Sequence, residues 1–141
     1  MTGLSRAELG RIGEKTAALW LEENGYTVVG RNVRFGHDEI DLIAERDGVV
    51  CFVEVKTRRQ YPDYRTPEGT PAEAVDSRKQ TAMIRAAEAW LAAHPADLRT
   101  PRLDVMEVYA DPGDEGFRLL LIRHLPDAVR KRAKFSRVPR R

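Results

Sequence analysis

The sequence contains one cysteine, Cys51, and it has no apolar run near the roughly 20 residues that a membrane-spanning helix needs. A single cysteine excludes an intramolecular disulfide and a zinc site built from several thiolates. The first ten residues also lack the apolar core of a secretory signal. We therefore expect a cytoplasmic protein without membrane association, whose chemistry depends on the charged side chains that make up 33% of its residues.

Charge is distributed unevenly along the 141 residues. The formal net charge is +2, but residues 130–141 contain seven basic side chains and no acidic one, which leaves 17 basic against 22 acidic side chains in residues 1–129. The sequence predicts a single domain over residues 1–129 and a disordered basic tail over residues 130–141. Such a tail can contact nucleic acid through phosphates, and the alternative is that it only increases solubility.

Apolar periodicity and turn-forming residues predict the element order α-β-β-β-α-β-β. One helix is predicted over about residues 5–24, where Ser5 and Glu8 form a capping-box motif, and another over about 76–94. A polar loop covers residues 58–71. The five predicted strands span residues 26–35, 39–45, 49–57, 103–109 and 117–124. This order predicts an α/β fold in which helices flank a mixed five-stranded sheet.

The Asp-Gly pair at 47–48 is a strong signal for a two-residue hairpin turn between the second and third strands. Such a turn places Asp41 directly opposite Glu54, and Glu39 opposite Lys56, with all four side chains on one face of the sheet. The opposite face then carries the apolar side chains of Ile40, Leu42, Ala44, Val53 and Val55.

Two carboxylates directly opposite each other repel, since their Cβ atoms lie about 4.5–5.5 Å apart. A divalent cation relieves that repulsion, because Mg²⁺ (or Mn²⁺) takes oxygen ligands from carboxylates, carbonyls, water and phosphate. Asp41, Glu54 and the backbone carbonyl of Val55 are therefore candidate metal ligands. Lys56 is placed to hold an attacking water or to neutralise charge on a phosphate. The alternatives are ordinary solvent-exposed charges, or a longer turn that shifts the register.

Seven short motifs form a familiar set that covers nearly the whole chain except its last dozen residues. They are Gly13-Glu14, R-N-x-R at 31–34, E-I-D-L-I-A at 39–44, F-V-E-V-K-T-R at 52–58, P-A-E-A-V at 71–75, a helix containing Lys79, and R-L-D-V at 102–105. The set resembles the YraN family of bacterial proteins. That family is assigned to the restriction-endonuclease-like superfamily and is similar to archaeal Holliday junction resolvases.

The resemblance implies a resolvase-type, restriction-endonuclease-like fold with the nuclease motif D…(D/E)-x-K. In this chain Asp41 takes the first acidic position, and Glu54 and Lys56 form the E-x-K. The resemblance also makes Glu14 the acidic residue of the first helix that supports the metal site; without it, Glu14 would be predicted to be a surface residue. One departure is Asp38, at a position where the family usually has glycine.

These observations lead to the hypothesis of a metal-dependent nuclease that hydrolyses DNA phosphodiester bonds, on branched or repair intermediates. Its cofactor would be Mg²⁺ or Mn²⁺, its partner would be DNA, and the similarity to resolvases suggests a homodimer. The alternative is a non-catalytic nucleic-acid-binding or adaptor protein that keeps the nuclease fold. The residues expected to contact substrate, with ordinary solvated charges as the alternative, are Arg31, Arg34, Glu39, Arg58 and Lys79.

Several other polar or aromatic residues are assigned to structure. Arg102 and Asp104 lie two residues apart at the start of a predicted strand and are expected to form a structural ion pair. A structural role is also predicted for His124. Trp20 and Trp90 lie on the apolar faces of their helices, so we expect both to pack in the core.

Overall fold

The computed structural model describes residues 3–63 and 76–129, and it has the predicted order of elements. The helices are α1 (Arg6–Glu23) and α2 (Ser77–Ala93). The strands are β1 (Thr27–Phe35), β2 (Asp38–Arg46), β3 (Val49–Arg59), β4 (Thr100–Ala110) and β5 (Leu119–Leu125). The P-A-E-A-V motif, most of the predicted polar loop and the basic tail lie outside the described residues.

The five strands form one sheet in the order β1-β2-β3-β4-β5. Strands β3 and β4 are parallel, and the other three neighbouring pairs are antiparallel. The prediction of a mixed five-stranded sheet is therefore confirmed. Neither helix of the described residues combines the length and the apolar character that crossing a membrane requires.

The helices begin where their capping residues predict. Ser5 and Glu8 form the capping box of α1: Glu8 N–H donates to the Ser5 hydroxyl at 3.0 Å, and Ser5 N–H donates to the Glu8 carboxylate at 2.8 Å. At the start of α2 the carboxylate of Asp76 accepts from the backbone N–H of Lys79 at 2.8 Å. Each cap satisfies N–H groups that have no partner within the helix.

Two apolar clusters hold the helices to opposite faces of the sheet, giving three layers. Trp90 and Met83 of α2 pack with Phe52 and neighbouring residues on one face. Leu21 and the alanines of α1 pack on the other face, with Trp20 half-buried beside them. Both tryptophans therefore face the sheet as predicted, but only Trp90 is buried in the core.

The predicted hairpin register is confirmed from the turn up to the fifth pair of residues. Arg46 pairs with Val49 next to the turn, and the ladder continues without a shift to the pair Leu42–Val53. The backbone pairing of β2 and β3 ends there, one residue before the level of Asp41.

The prediction for Ile40 was wrong. Ile40 packs in the cluster beneath α2 together with Ile43, whereas the other four residues predicted to share its face lie beneath α1. The alternation of side chains between the two faces of β2 therefore breaks at Asp41. The break coincides with an irregularity in the neighbouring strand, because Asn32 has a left-handed backbone (φ 49°) between the pairs Arg31–Leu42 and Val33–Ile40.

Candidate functional site

Asp41 lies at the point where β2 and β3 stop pairing. Its Oδ2 accepts a hydrogen bond of 2.8 Å from the backbone N–H of Val55. A side chain thus takes the place that a carbonyl of β2 would occupy in a continued ladder. The N–H and C=O of a strand residue point toward the same neighbouring strand, so the Val55 carbonyl also faces the gap beside Asp41.

Glu54 and Asp41 form an acid pair, and Glu54 is buried, with 6% of its surface exposed. Its Oε1 is buried without a hydrogen-bond partner among the described residues, and its Oε2 lies 3.6 Å from the Nζ of Lys79. Burial, and then the negative charge of Asp41, raise the pKa of Glu54 to about 7. Burial also raises the pKa of Asp41, although the hydrogen bond from Val55 opposes that increase. The structure therefore brings together the two carboxyl groups that the hairpin register predicted.

Two lysines complete the charge balance around this pair. Lys79, in the first turn of α2, reaches Glu54 from the layer above the sheet. Lys56 lies two residues beyond Glu54 on β3, half-buried, and its positive charge lowers the pKa of Glu54, as that of Lys79 also does. Lys79 was predicted to contact substrate, and it lies against the acid pair.

Glu14 approaches the same place from α1, on the opposite face of the sheet. It is half-buried, and burial together with the negative charges of Asp41 and Glu39 raises its pKa. The preceding residue explains its position: a Cβ at Gly13 would lie 1.8 Å from the Thr57 hydroxyl, so only glycine lets α1 come this close to β3. The Gly-Glu motif therefore brings an acidic side chain down to the end of the paired strands.

Asn32 is a site residue that the sequence reasoning missed. With its amide oriented so that both polar atoms are satisfied, its nitrogen donates to Glu39 Oε2 at 3.0 Å and to Glu14 Oε1 at 3.1 Å. The available signal was its place between the two arginines of the R-N-x-R motif.

The two arginines of that motif are at the rim. Arg34 is exposed (72% of its side chain) and lies 4.0 Å from Glu39 on the neighbouring strand. Arg31 lies 3.9 Å from Glu22 near the end of α1. Both side chains remain accessible to a ligand, but neither touches the acid pair.

Arg58 belongs to a separate cluster on β3, β4 and β5. Its Nη2 lies 3.9 Å from Oε2 of the buried Glu107. The same carboxylate accepts a 3.1 Å hydrogen bond from the Tyr109 hydroxyl and lies 3.5 Å from Nη1 of Arg123. Arg58 is thus held by Glu107 and not by the acid pair.

Asp38, the departure from the family pattern, is engaged by α2. Its two carboxylate oxygens each accept a hydrogen bond of 2.8 Å from the guanidinium of Arg85. This bidentate pair lowers the pKa of Asp38 and joins the start of β2 to the second helix. Asp38 is therefore the first residue of β2 and the ion-pair partner of Arg85.

The predicted pair of Arg102 and Asp104 is present and buried. Asp104 is fully buried and accepts two hydrogen bonds from Arg102, at 2.9 and 2.8 Å. His124 lies 2.9 Å from the same carboxylate through Nε2, and the Asp127 N–H donates to it as well. The Arg102–Asp104 pair lies within β4, and the contacts of Asp104 with His124 and Asp127 tie β4 to β5 and to the segment after it, which agrees with the structural roles predicted for Arg102, Asp104 and His124.

The oxygen atoms at the end of the β2–β3 ladder suit a hard cation better than a zinc ion. Within residues 3–63 and 76–129, no three histidine, cysteine, aspartate or glutamate side chains are arranged as a group that could hold a metal ion. The site instead offers Asp41, Glu54 and a facing backbone carbonyl. Mg²⁺ commonly takes one or two protein carboxylates and completes its shell with water and phosphate oxygens.

The fold and the site together define a mixed α/β domain with an acidic pair where two strands separate. Comparison with known proteins identifies the family: the model of the uncharacterised protein family UPF0102 matches residues 13–108. The chain belongs to that family, which confirms the resemblance to the YraN proteins. The matched region includes Glu14, Asp41, Glu54 and Lys56.

Individual relatives align with most of the chain. A UPF0102 protein of Symbiobacterium thermophilum is 46% identical over 110 residues, which cover 77% of this chain and 86% of the relative. One from Chlorobaculum parvum is 45% identical over 121 residues, which cover 85% of this chain and 90% of the relative. One from Caldanaerobacter subterraneus is 35% identical over 128 residues, which cover 91% of this chain and 99% of the relative. The names of these relatives state the family and no activity.

Proposed function

We propose that this protein is a metal-dependent nuclease that hydrolyses phosphodiester bonds in DNA, on branched or repair intermediates. The observation that carries the proposal is the buried Oε1 of Glu54, which has no hydrogen-bond partner in residues 3–63 and 76–129, beside the carboxylate of Asp41. A buried polar atom without a partner costs about 1–3 kcal/mol, and more when it is charged. A cation bound by both carboxylates would remove that cost and their mutual repulsion.

The same proposal includes the finer fold assignment. A restriction-endonuclease-like fold of the resolvase type is supported by the element order and by the place of the D…E-x-K residues at the end of a hairpin ladder. The proposal also includes a cytoplasmic location and, from the similarity to resolvases, a homodimer.

Asp41, Glu54 and the Val55 carbonyl would hold the ion, and Glu14 on α1 would support the site through its negative charge. When bound, Mg²⁺ lowers the pKa of coordinated water and neutralises charge on phosphate. The chain's own residues orient the reactants around it. The Val55 N–H holds Oδ2 of Asp41 and thereby fixes the orientation of this carboxylate beside Glu54.

The lysines supply positive charge where the phosphate would lie. Lys56, on the same strand as Glu54, can donate hydrogen bonds to a non-bridging phosphate oxygen or to the attacking water. Lys79 now balances Glu54 across 3.6 Å, and a bound cation would release its ammonium to contact the substrate backbone. Arg34, exposed at the rim, can contact a neighbouring phosphate, and residues 130–141 would add sequence-independent affinity for DNA.

The test is cleavage of end-labelled branched, single-stranded and duplex DNA with Mg²⁺ or Mn²⁺. We expect metal-dependent cleavage by the wild type, and a loss of about 100-fold or more in Asp41→Asn and in Lys56→Met. Asp47→Asn, at the exposed turn of the same hairpin, is the matched control and should cleave normally. The proposal fails if no substrate is cut, or if all four proteins cut equally.

A second candidate is a nucleic-acid-binding or adaptor protein that keeps this fold without chemistry. It is favoured by one observation, that no three histidine, cysteine, aspartate or glutamate side chains of the described residues are arranged as a metal-binding group. Removal of residues 130–141 should then abolish DNA binding, while Asp41→Asn leaves binding unchanged. Metal-dependent cleavage that requires Asp41 would rule this candidate out.

A further inference from the structure

Asn32 is a neutral side chain that contacts two acids next to Asp41, Glu39 on β2 and Glu14 on α1. Its amide nitrogen donates to Glu39 Oε2 and to Glu14 Oε1, at 3.0 and 3.1 Å. The opposite orientation would place the amide oxygen against both carboxylates, which the hydrogen-bond network excludes. Asn32 therefore connects a residue of β2 to a residue of α1 across the edge of the sheet.

The backbone of Asn32 is shaped for this contact. Its φ of 49° lies in the left-handed region, which asparagine adopts more readily than most residues other than glycine. On the neighbouring strand, strict alternation breaks at Asp41, at the level where the Asn32 side chain turns toward the acids. The conformation that ends regular pairing is thus the one that presents the amide to Glu14 and Glu39.

We propose that Asn32 is the positioning residue of this site: its amide holds Glu14, on α1, in place for a divalent cation at Asp41. The inference rests on the proposed function for the cation, but not on DNA cleavage. Glu14 faces the negative charges of Asp41 and Glu39, which repel it from the site. The amide gives one hydrogen bond to Glu14 and one to Glu39, so it ties the two repelling carboxylates together and fixes the orientation of Glu14 before the ion arrives. Groups that orient metal ligands in this way typically change metal affinity by about 10–100-fold when removed.

Asn32→Gly is the variant of choice, because glycine keeps the left-handed backbone at no steric cost and removes only the amide. Asp47→Gly is the matched control: Asp47 also has positive φ (51°), but it lies at the hairpin turn, at the far end of the paired strands. Thermal unfolding of both variants without metal shows whether the backbone has tolerated the change.

The experiment is a double-mutant cycle of Mn²⁺ affinity, measured by electron paramagnetic resonance on wild type, Asn32→Gly, Glu14→Gln and the double variant. We expect Asn32→Gly to lose about 10-fold in affinity, Glu14→Gln to lose at least as much, and the double variant to bind like Glu14→Gln. Asp47→Gly should bind like the wild type. Non-additivity would show that Asn32 acts through Glu14, which a merely structural role would not produce.

Three results would overturn the inference: wild-type affinity in Asn32→Gly, additive losses in the double variant, or no Mn²⁺ binding by the wild type. The outcome is separable from that of the nuclease proposal. If the cycle behaves as expected and no DNA is cut, the positioning role of Asn32 stands while the proposed activity fails.

Discussion

The backbone N–H of Val55 donates to the carboxylate of Asp41 at 2.8 Å, one residue beyond the last backbone pair of the hairpin. This contact explains how two acids can lie side by side in the sheet. The strands separate at this level, the Asp41 side chain fills the position of a missing carbonyl, and one oxygen of Glu54 has no hydrogen-bond partner in the part of the chain that the structure describes. Acidic groups from α1 and from the sheet, and a lysine from α2, thus meet where the ladder ends.

The acid pair should destabilise the metal-free protein at high pH. Burial and the charge of Asp41 raise the pKa of Glu54 from 4.5 to about 7, so the folded state binds this proton more tightly than the unfolded state does. The resulting stability is present below pH 4.5 and is lost as pH rises through about 7. Glu54→Gln, which stays neutral, should therefore raise the melting temperature at pH 8 in EDTA by on the order of 5 °C.

The comparison at pH 4 is the internal control, because wild-type Glu54 is then protonated and the two proteins should melt together. A lower melting temperature for Glu54→Gln at pH 8 would contradict the assignment of Glu54 as a buried, strained carboxylate.

The close approach of α1 to β3 predicts opposite changes in stability when two glycines of that helix are replaced by alanine. Gly13→Ala should destabilise the fold by about 1–3 kcal/mol, because the new Cβ would meet the Thr57 hydroxyl at 1.8 Å. Gly10→Ala meets nothing within 4 Å and should stabilise it by about 0.5–1 kcal/mol through the lower backbone entropy of the unfolded chain. Urea unfolding of the two variants measures both changes. Equal effects of the same sign would show that Gly13 is not a packing constraint.

Lys79 should set the pH at which the cation binds. Its positive charge lowers the pKa of Glu54, and a carboxylate must be deprotonated to bind a metal ion. Mn²⁺ binding by the wild type should therefore weaken as pH falls below about 7. Lys79→Met should move the midpoint to higher pH, because it removes the positive charge that lies 3.6 Å from Glu54 Oε2 and lowers the pKa of Glu54. Titration of Mn²⁺ affinity against pH checks this.

Arg78→Met is the matched control for Lys79→Met, since Arg78 is an exposed cation in the same turn of α2. It should leave the midpoint where it is in the wild type. A shift of similar size in both variants would mean that general charge, and not the contact between Lys79 and Glu54, controls binding.

Most of the fold could be predicted from the sequence because its signals are local. The Ser5–Glu8 capping box starts α1, the Asp-Gly turn at 47–48 fixes the hairpin register, and the strand and helix order follows from apolar periodicity. The ends of β3 and β4 extend beyond the predicted strands, to Arg59 and back to Thr100. These extensions depend on parallel pairing between distant segments, which no local pattern contains.

The site was predictable only in part, for a related reason. The register alone placed Asp41 beside Glu54, and the family motif added Glu14 and Lys79. The sequence did not predict that Ile40 lies on the other face of β2 or that Asn32 contacts the acids. Both features coincide with the left-handed backbone of Asn32 on the neighbouring strand β1. Whether a strand keeps its alternation at one position depends on contacts that a single sequence does not display.

The central claim is that Asp41 and Glu54 hold a divalent cation, and a crystal soaked in Mn²⁺ near pH 8 tests it most directly. We expect an anomalous-scattering peak between the two carboxylates, at about 2.0–2.3 Å from their oxygens and within reach of the Val55 carbonyl, and none in Asp41→Asn. The absence of a peak in the wild type, or a peak only at other acidic residues, would contradict the claim.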